Sequence, residues 1–245
     1  MKPFCFGLVF LLGATVLSSA AETRFENGPQ QTALVELYTS EGCSSCPSAE
    51  AWLSRLKGDP DLWKKFVPLA FHVDYWDRLG WRDRFSSSQW TERQRGYASL
   101  WQSDSVYTPA VVVNGSEVRD WTAANVSRPN EKQGGVLSAQ TTDGKTFAIE
   151  FRPDENGTVW EAHAALLGSG ISSKIGAGEN SGRNLQHDFV VLALREAQMK
   201  SDGGIMRAHL TLNATGETGA RKAVAVWVTL PARLVPVQAT GGWLP

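Results

Sequence analysis

Cysteine is scarce in this chain of 245 residues: there are three, Cys5, Cys43 and Cys46. That number excludes a disulfide-framework protein. With only four histidines, spread singly, it also argues against a structural zinc module of the cysteine–histidine kind. Charge of one sign is missing too. The formal net charge is −1, and no lysine- or arginine-rich block is long enough to track phosphates, so nucleic acid and anionic membrane are poor partners. Long apolar runs are absent apart from one, Phe4 to Leu17, which is shorter than the roughly 20 residues a membrane-spanning helix needs.

That run follows Lys2 and ends on Ser18-Ser19-Ala20. A basic start, a short apolar stretch and small residues together predict a secretory signal peptide over residues 1–20. The expected product is periplasmic or secreted, without a membrane span. Cys5 leaves with the signal, so Cys43 and Cys46 are the two cysteines of the exported chain. About 225 residues remain, enough for one large or two modest domains with an ordinary core.

Along the chain, Ala33–Thr39 reads as a strand, Cys46–Leu56 as a helix with Ala49, Trp52, Leu53 and Leu56 on one side, and Phe66–Tyr75 as a buried strand. Ser86-Ser87-Ser88 can cap a helix to about Gln102. Ala110–Val113 is a strand, Asn114-Gly115 a tight turn, and a short strand returns near Val118. A weak helix is expected from Trp121 to Arg128-Pro129. After Gly134-Gly135 the pattern changes to strands at 147–151, 159–167, 189–197, 206–212 and 222–229. The expectation is an α/β domain over residues 33–133, followed over 134–245 by a small, mostly antiparallel β-sandwich.

Cys43 and Cys46 stand between the first strand and the first helix, in "SEGCSSCPSAE". Two intervening residues allow a small disulfide ring, and a helix N-terminus favours thiolate over thiol. Pro47 suits the first helical turn, where no backbone N–H is needed. This predicts an attacking Cys43, facing solvent, and a resolving Cys46. A permanent staple is the plainer alternative; so short a loop constrains the unfolded chain by only about 2 kcal/mol or less.

"LVELYT" leading into "CSSCP", then "PLAFHVDYW" and "YTPAVVVNG", in that order, resemble the thioredoxin superfamily. The longer run, with "RQRGYA" and "GENSGRNLQHDFVV", resembles domain-of-unknown-function family 1223, a group of secreted thioredoxin-like proteins. The resemblance implies a thioredoxin-like N-terminal fold and thiol–disulfide exchange with protein thiols and an unidentified redox partner. It implies no cofactor beyond the redox-active disulfide. It also implies a cis Thr108–Pro109 bond opposite the cysteines, with Thr108 and Pro109 offering backbone groups to a bound peptide, and Glu36 as a buried acid moving a proton for the resolving thiol.

Other side chains admit two readings. His72, Asp74 and Asp77 fall at a strand end that should approach the cysteines, so Cys43, Cys46 and His72 form an alternative copper site. Trp76 and Trp81, in a loop, could line a substrate groove or simply pack. Glu179, Asn180, Arg183 and His187 share a glycine-bearing loop in which turn chemistry explains Gly178, Asn180 and Gly182, and Arg183 reads as a structural ion-pair partner. Function then divides among an oxidoreductase or isomerase, a metal-delivery protein, and a non-catalytic binding module.

Overall fold

The computed structural model describes residues 21–123, 125–126, 131–154, 159–214 and 219–245. The expected signal peptide lies outside them, as does part of the helix expected from Trp121; the part described, Trp121–Ala123, forms turns and a bend. In chain order the elements are β1 (Thr23–Asn27), β2 (Ala33–Thr39), α1 (Cys46–Arg55), β3 (Phe66–His72), α2 (Ser88–Leu100), β4 (Ala110–Val113), β5 (Ser116–Glu117), β6 (Val136–Thr141) and β7 (Thr146–Arg152). There follow β8 (Glu161–Ser169), β9 (Ile171–Lys174), β10 (Asn184–His187), β11 (Val190–Gln198), β12 (Lys200–Asp202), β13 (Ile205–Thr211), β14 (Arg221–Thr229) and β15 (Gln238–Trp243). No described helix is long and apolar enough to cross a membrane.

The expected fold class is overturned. Strands dominate, with two α-helices among the described residues, and one eight-stranded sheet runs β15-β14-β8-β11-β3-β2-β4-β5. β11 lies parallel to β3 at Val190–Ala70, so strands from both sides of residue 134 share hydrogen bonds. The chain is therefore not an α/β thioredoxin-like domain followed by a small sandwich. A second sheet, β1-β6-β7-β13-β12, and a two-stranded ribbon, β9–β10, complete it.

Alternation along the strands builds two cores. On β14, Val224, Val226 and Val228 meet Leu137, Phe147, Ile149 and Phe151 of the five-stranded sheet. Ala223, Ala225 and Trp227 belong instead to the larger core that includes Leu34, Leu37, Phe71, Trp52 and Trp90. The same alternation sorts β2. Thr39 bonds Glu50 on α1, whereas Glu36 bonds Arg93 and Tyr97 on α2, so the two helices cover opposite faces of this strand. Thr39 and His72 are register partners; both side chains emerge toward α1.

Candidate functional site

Cys43 and Cys46 form a disulfide with Cα atoms 5.4 Å apart. Helix α1 begins at Cys46, with Pro47 in its first turn, so Cys43 sits in the preceding turn rather than at the helix start. There its N–H donates to the Ser40 carbonyl at 3.2 Å, and its own carbonyl accepts from Cys46 N–H at 3.3 Å. Both cysteines have 0% exposure. The expected solvent-facing Cys43 is thus not what the fold provides, although Ser44 and Ser45 beside it are exposed.

The loop between β9 and β10 is pinned to the backbone of this turn. Asn180 Nδ2 donates to the carbonyls of Glu41 and Cys43, each at 2.9 Å, and is itself oriented by Arg183, which donates to Asn180 Oδ1 at 2.7 Å. Glu179 accepts from Ser44 N–H at 3.0 Å. Sequence reasoning names these residues but reads Asn180 as turn chemistry and Arg183 as a structural ion-pair partner. Contacts between positions 44 and 179 are formed by the tertiary fold and leave no local pattern.

Opposite lies the Thr108–Pro109 bond, which is cis. The Thr108 carbonyl is 3.8 Å from Cys43 Sγ, and Ser45 Oγ is 3.3 Å from the same sulfur. Trp76 donates from Nε1 to Thr108 Oγ1 at 2.8 Å. A Cβ added at Gly42 would come within 3.1 Å of Trp76 Cβ, so a larger residue before the first cysteine would have to shift Trp76. Trp81 donates to Glu41 Oε2 at 2.7 Å and packs on Gly176 and Gly178. Thr108, Pro109, Trp76 and Trp81 are all half-buried. The structure therefore gathers them and the disulfide at one place.

Glu36 is elsewhere. Its carboxylate accepts from Arg93 Nε at 2.7 Å, Tyr97 Oη at 2.6 Å and Tyr38 Oη at 3.0 Å, on the face of β2 opposite to α1. The acid beneath the cysteine turn is Glu50, one helical turn after Cys46. Glu50 accepts from Thr39 Oγ1 at 2.6 Å and pairs closely with His187 Nδ1. His187 Nε2 lies 3.3 Å from Glu41 Oε1, near enough for an ion pair though not aligned as a hydrogen bond. His72 pairs through Nδ1 with Asp83 Oδ2 at 2.7 Å. Its ring stands edge-on to His187 and Phe85, with centroids 5.2 Å and 5.3 Å away.

Three carboxylates and two imidazoles are thus buried together. Burial alone would push the His187 pKa down, but Glu41 and Glu50 raise it to about 10. His72 is likewise raised, its desolvation outweighed by Asp83 and Glu50. The Asp83 carboxyl is lowered despite burial by His72 and by backbone N–H groups of Glu41 and Phe85. Opposite charges within about 6 Å act this way in a low-dielectric interior. Sequence reasoning missed Glu41, Glu50 and Asp83. The available signal was Glu50, a charged residue among the buried positions Ala49, Trp52 and Leu53 of α1.

Two solved structures share the fold. Protein AGR_C_4864 from Agrobacterium tumefaciens is 22% identical, with a TM-score of 0.61 over 88% of this chain and 94% of that one. HBP35 of Porphyromonas gingivalis is 13% identical, with a TM-score of 0.57 over 89% and 76%. No curated protein matches the chain. The model of a protein family of unknown function matches residues 34–229, a span that holds both cysteines, Thr108–Pro109 and all the buried acids and histidines described above. The chain therefore belongs to that family, DUF1223.

Proposed function

We propose that the protein is an exported thiol–disulfide oxidoreductase or isomerase acting on protein thiols through Cys43 and Cys46. The observation carrying this reading is the four-residue disulfide ring at the start of α1, with the Thr108 carbonyl 3.8 Å from Cys43 Sγ. Thr108 and Pro109 supply backbone edges where an extended substrate segment can lie, and Trp76 fixes Thr108.

In the oxidising direction a substrate thiolate attacks Cys43 Sγ. The Cys43–Cys46 bond breaks and its electron pair leaves on Cys46, which takes up a proton. A second substrate thiolate then attacks the mixed disulfide, forming the substrate disulfide and releasing Cys43 as thiolate. Two electrons pass from substrate to the cysteine pair, and a partner protein disulfide removes them. The pair itself stores the electrons, so no bound cofactor is needed. Because both cysteines are buried, the incoming thiolate reaches Cys43 Sγ only when a neighbouring segment moves.

That burial favours a second reading, a binding module in which the disulfide is a staple. Insulin reduction and refolding of scrambled ribonuclease separate the two. The oxidoreductase reading expects catalysis by the wild type and none by Cys43→Ser; equal rates from both proteins would refute it.

A further inference from the structure

The geometry points to a divalent transition-metal site, of the kind zinc occupies, built by Glu50, His72 and His187 beneath the cysteine turn. One ligating atom from each of the three lies within 4.8 Å of the others, and all three side chains are buried. Two imidazoles and one carboxylate form a donor set suited to zinc, with a fourth position left for water. Zinc bonds of about 2.0–2.1 Å place tetrahedral ligand atoms roughly 3.3 Å apart, so small side-chain rotations would close the present spacing.

The surroundings of the two histidines support the assignment independently. A metal-binding imidazole ordinarily presents its other nitrogen to a carboxylate or carbonyl, which fixes the ring and its tautomer. His72 does so through Nδ1 to Asp83, itself held by the backbone N–H groups of Glu41 and Phe85. His187 Nε2 faces Glu41 at 3.3 Å, leaving Nδ1 toward Glu50. Glu50 is held in turn by Thr39. His72 Nε2 meanwhile is buried with no hydrogen-bond partner. Leaving such an atom unsatisfied in a dry interior is unfavourable, and a metal bond would satisfy it.

Charge favours the same occupant. Glu41, Glu50 and Asp83 place three carboxylates around two imidazoles, so one negative charge is in excess even with both rings protonated, and a divalent cation entering the site displaces those protons. A cleft of about 540 Å³ between α1 and β10, lined by Pro47, Glu50, Ala51, Arg183 and Gln186 among others, opens onto Glu50 and gives an entry path. Neither cysteine belongs to this ligand set, which distinguishes it from a copper site on Cys43, Cys46 and His72.

The test is titration of the chelator-treated mature protein with zinc chloride by calorimetry, and with cobalt chloride by visible absorption. One equivalent of zinc should bind, and cobalt should give visible bands typical of low coordination. His72→Ala and His187→Ala should each weaken binding at least 100-fold, Asp83→Asn about 10–100-fold, and the Cys43→Ser/Cys46→Ser double variant should bind like the wild type. Circular dichroism of each apo variant verifies folding, and a variant that fails it is replaced by Glu50→Gln. Failure of the folded wild type to bind overturns the proposal, as does undiminished binding by a folded His72→Ala protein. Loss of binding in the cysteine double variant alone overturns it in favour of a cysteine-centred site. Because the cysteine variant tests the redox reading separately, either proposal can fail without the other.

Discussion

Glu36 and Arg93 show how one residue's place on a strand decides its chemistry. The pair is nearly dry, with side-chain exposures of 1% and 9%. Removing one partner should therefore strand a buried charge at a cost of about 3–5 kcal/mol. Chemical denaturation should show Glu36→Gln losing stability on that scale, whereas Glu92→Gln, which breaks an exposed pair with Arg95, should change it by less than about 1 kcal/mol. The four tyrosines of the chain give a pH test. Burial, then the charge of Glu36, holds Tyr38 and Tyr97 well above the usual phenol value, and burial chiefly raises Tyr75 and Tyr107 to about 12. A group raised in the folded state contributes fully below its unfolded value near 10. That contribution fades as pH climbs toward the folded value. Ultraviolet titration should find no phenolate at pH 10 in the folded chain, and stability should fall above it. At this scale the sequence made the cysteine pair and Thr108–Pro109 readable, because each is a local pattern. It made Glu36 visible as an acid inside an apolar strand, but not its face, since a strand reverses face with every residue.

The strand–turn–helix unit and the loop pinned to it form the next level. Asn180 joins the turn at two backbone carbonyls. At about 1 kcal/mol per hydrogen bond, Asn180→Ala should favour the open loop by roughly 30-fold and speed phosphine reduction of the disulfide by a similar factor. An unchanged rate would mean that the loop does not govern access. β2 and β4 form with the bounds their composition suggests, Ala33–Thr39 and Ala110–Val113, and α1 and α2 end within two residues of expectation. Strong periodicity and clear turn residues explain that agreement. The buried cluster was not readable, because Glu50, His72, Asp83 and His187 come from separate segments and each alone resembles an isolated polar residue.

Across the whole molecule, the parallel contact of β3 with β11 joins strands more than a hundred positions apart. No local rule signals that pairing: a shift from helix-bearing to strand-only sequence at residue 134 reads as a boundary, yet both kinds of strand hydrogen-bond in one sheet. Trp227 on β14 lies under Arg93 of α2, and Leu234 accepts from Tyr97. Cooperative unfolding should follow, with circular dichroism and tryptophan fluorescence giving coincident transitions; two separated transitions would contradict so continuous a sheet. At this scale too belongs the central claim, that Cys43 attacks and Cys46 resolves. Its most direct measurement is trapping in cells that export the protein, with disulfide-linked complexes resolved on non-reducing gels. The account predicts that Cys46→Ser accumulates mixed disulfides with substrate proteins and that Cys43→Ser accumulates none. Equal trapping by the two variants, or none from a well-expressed Cys46→Ser, would contradict it.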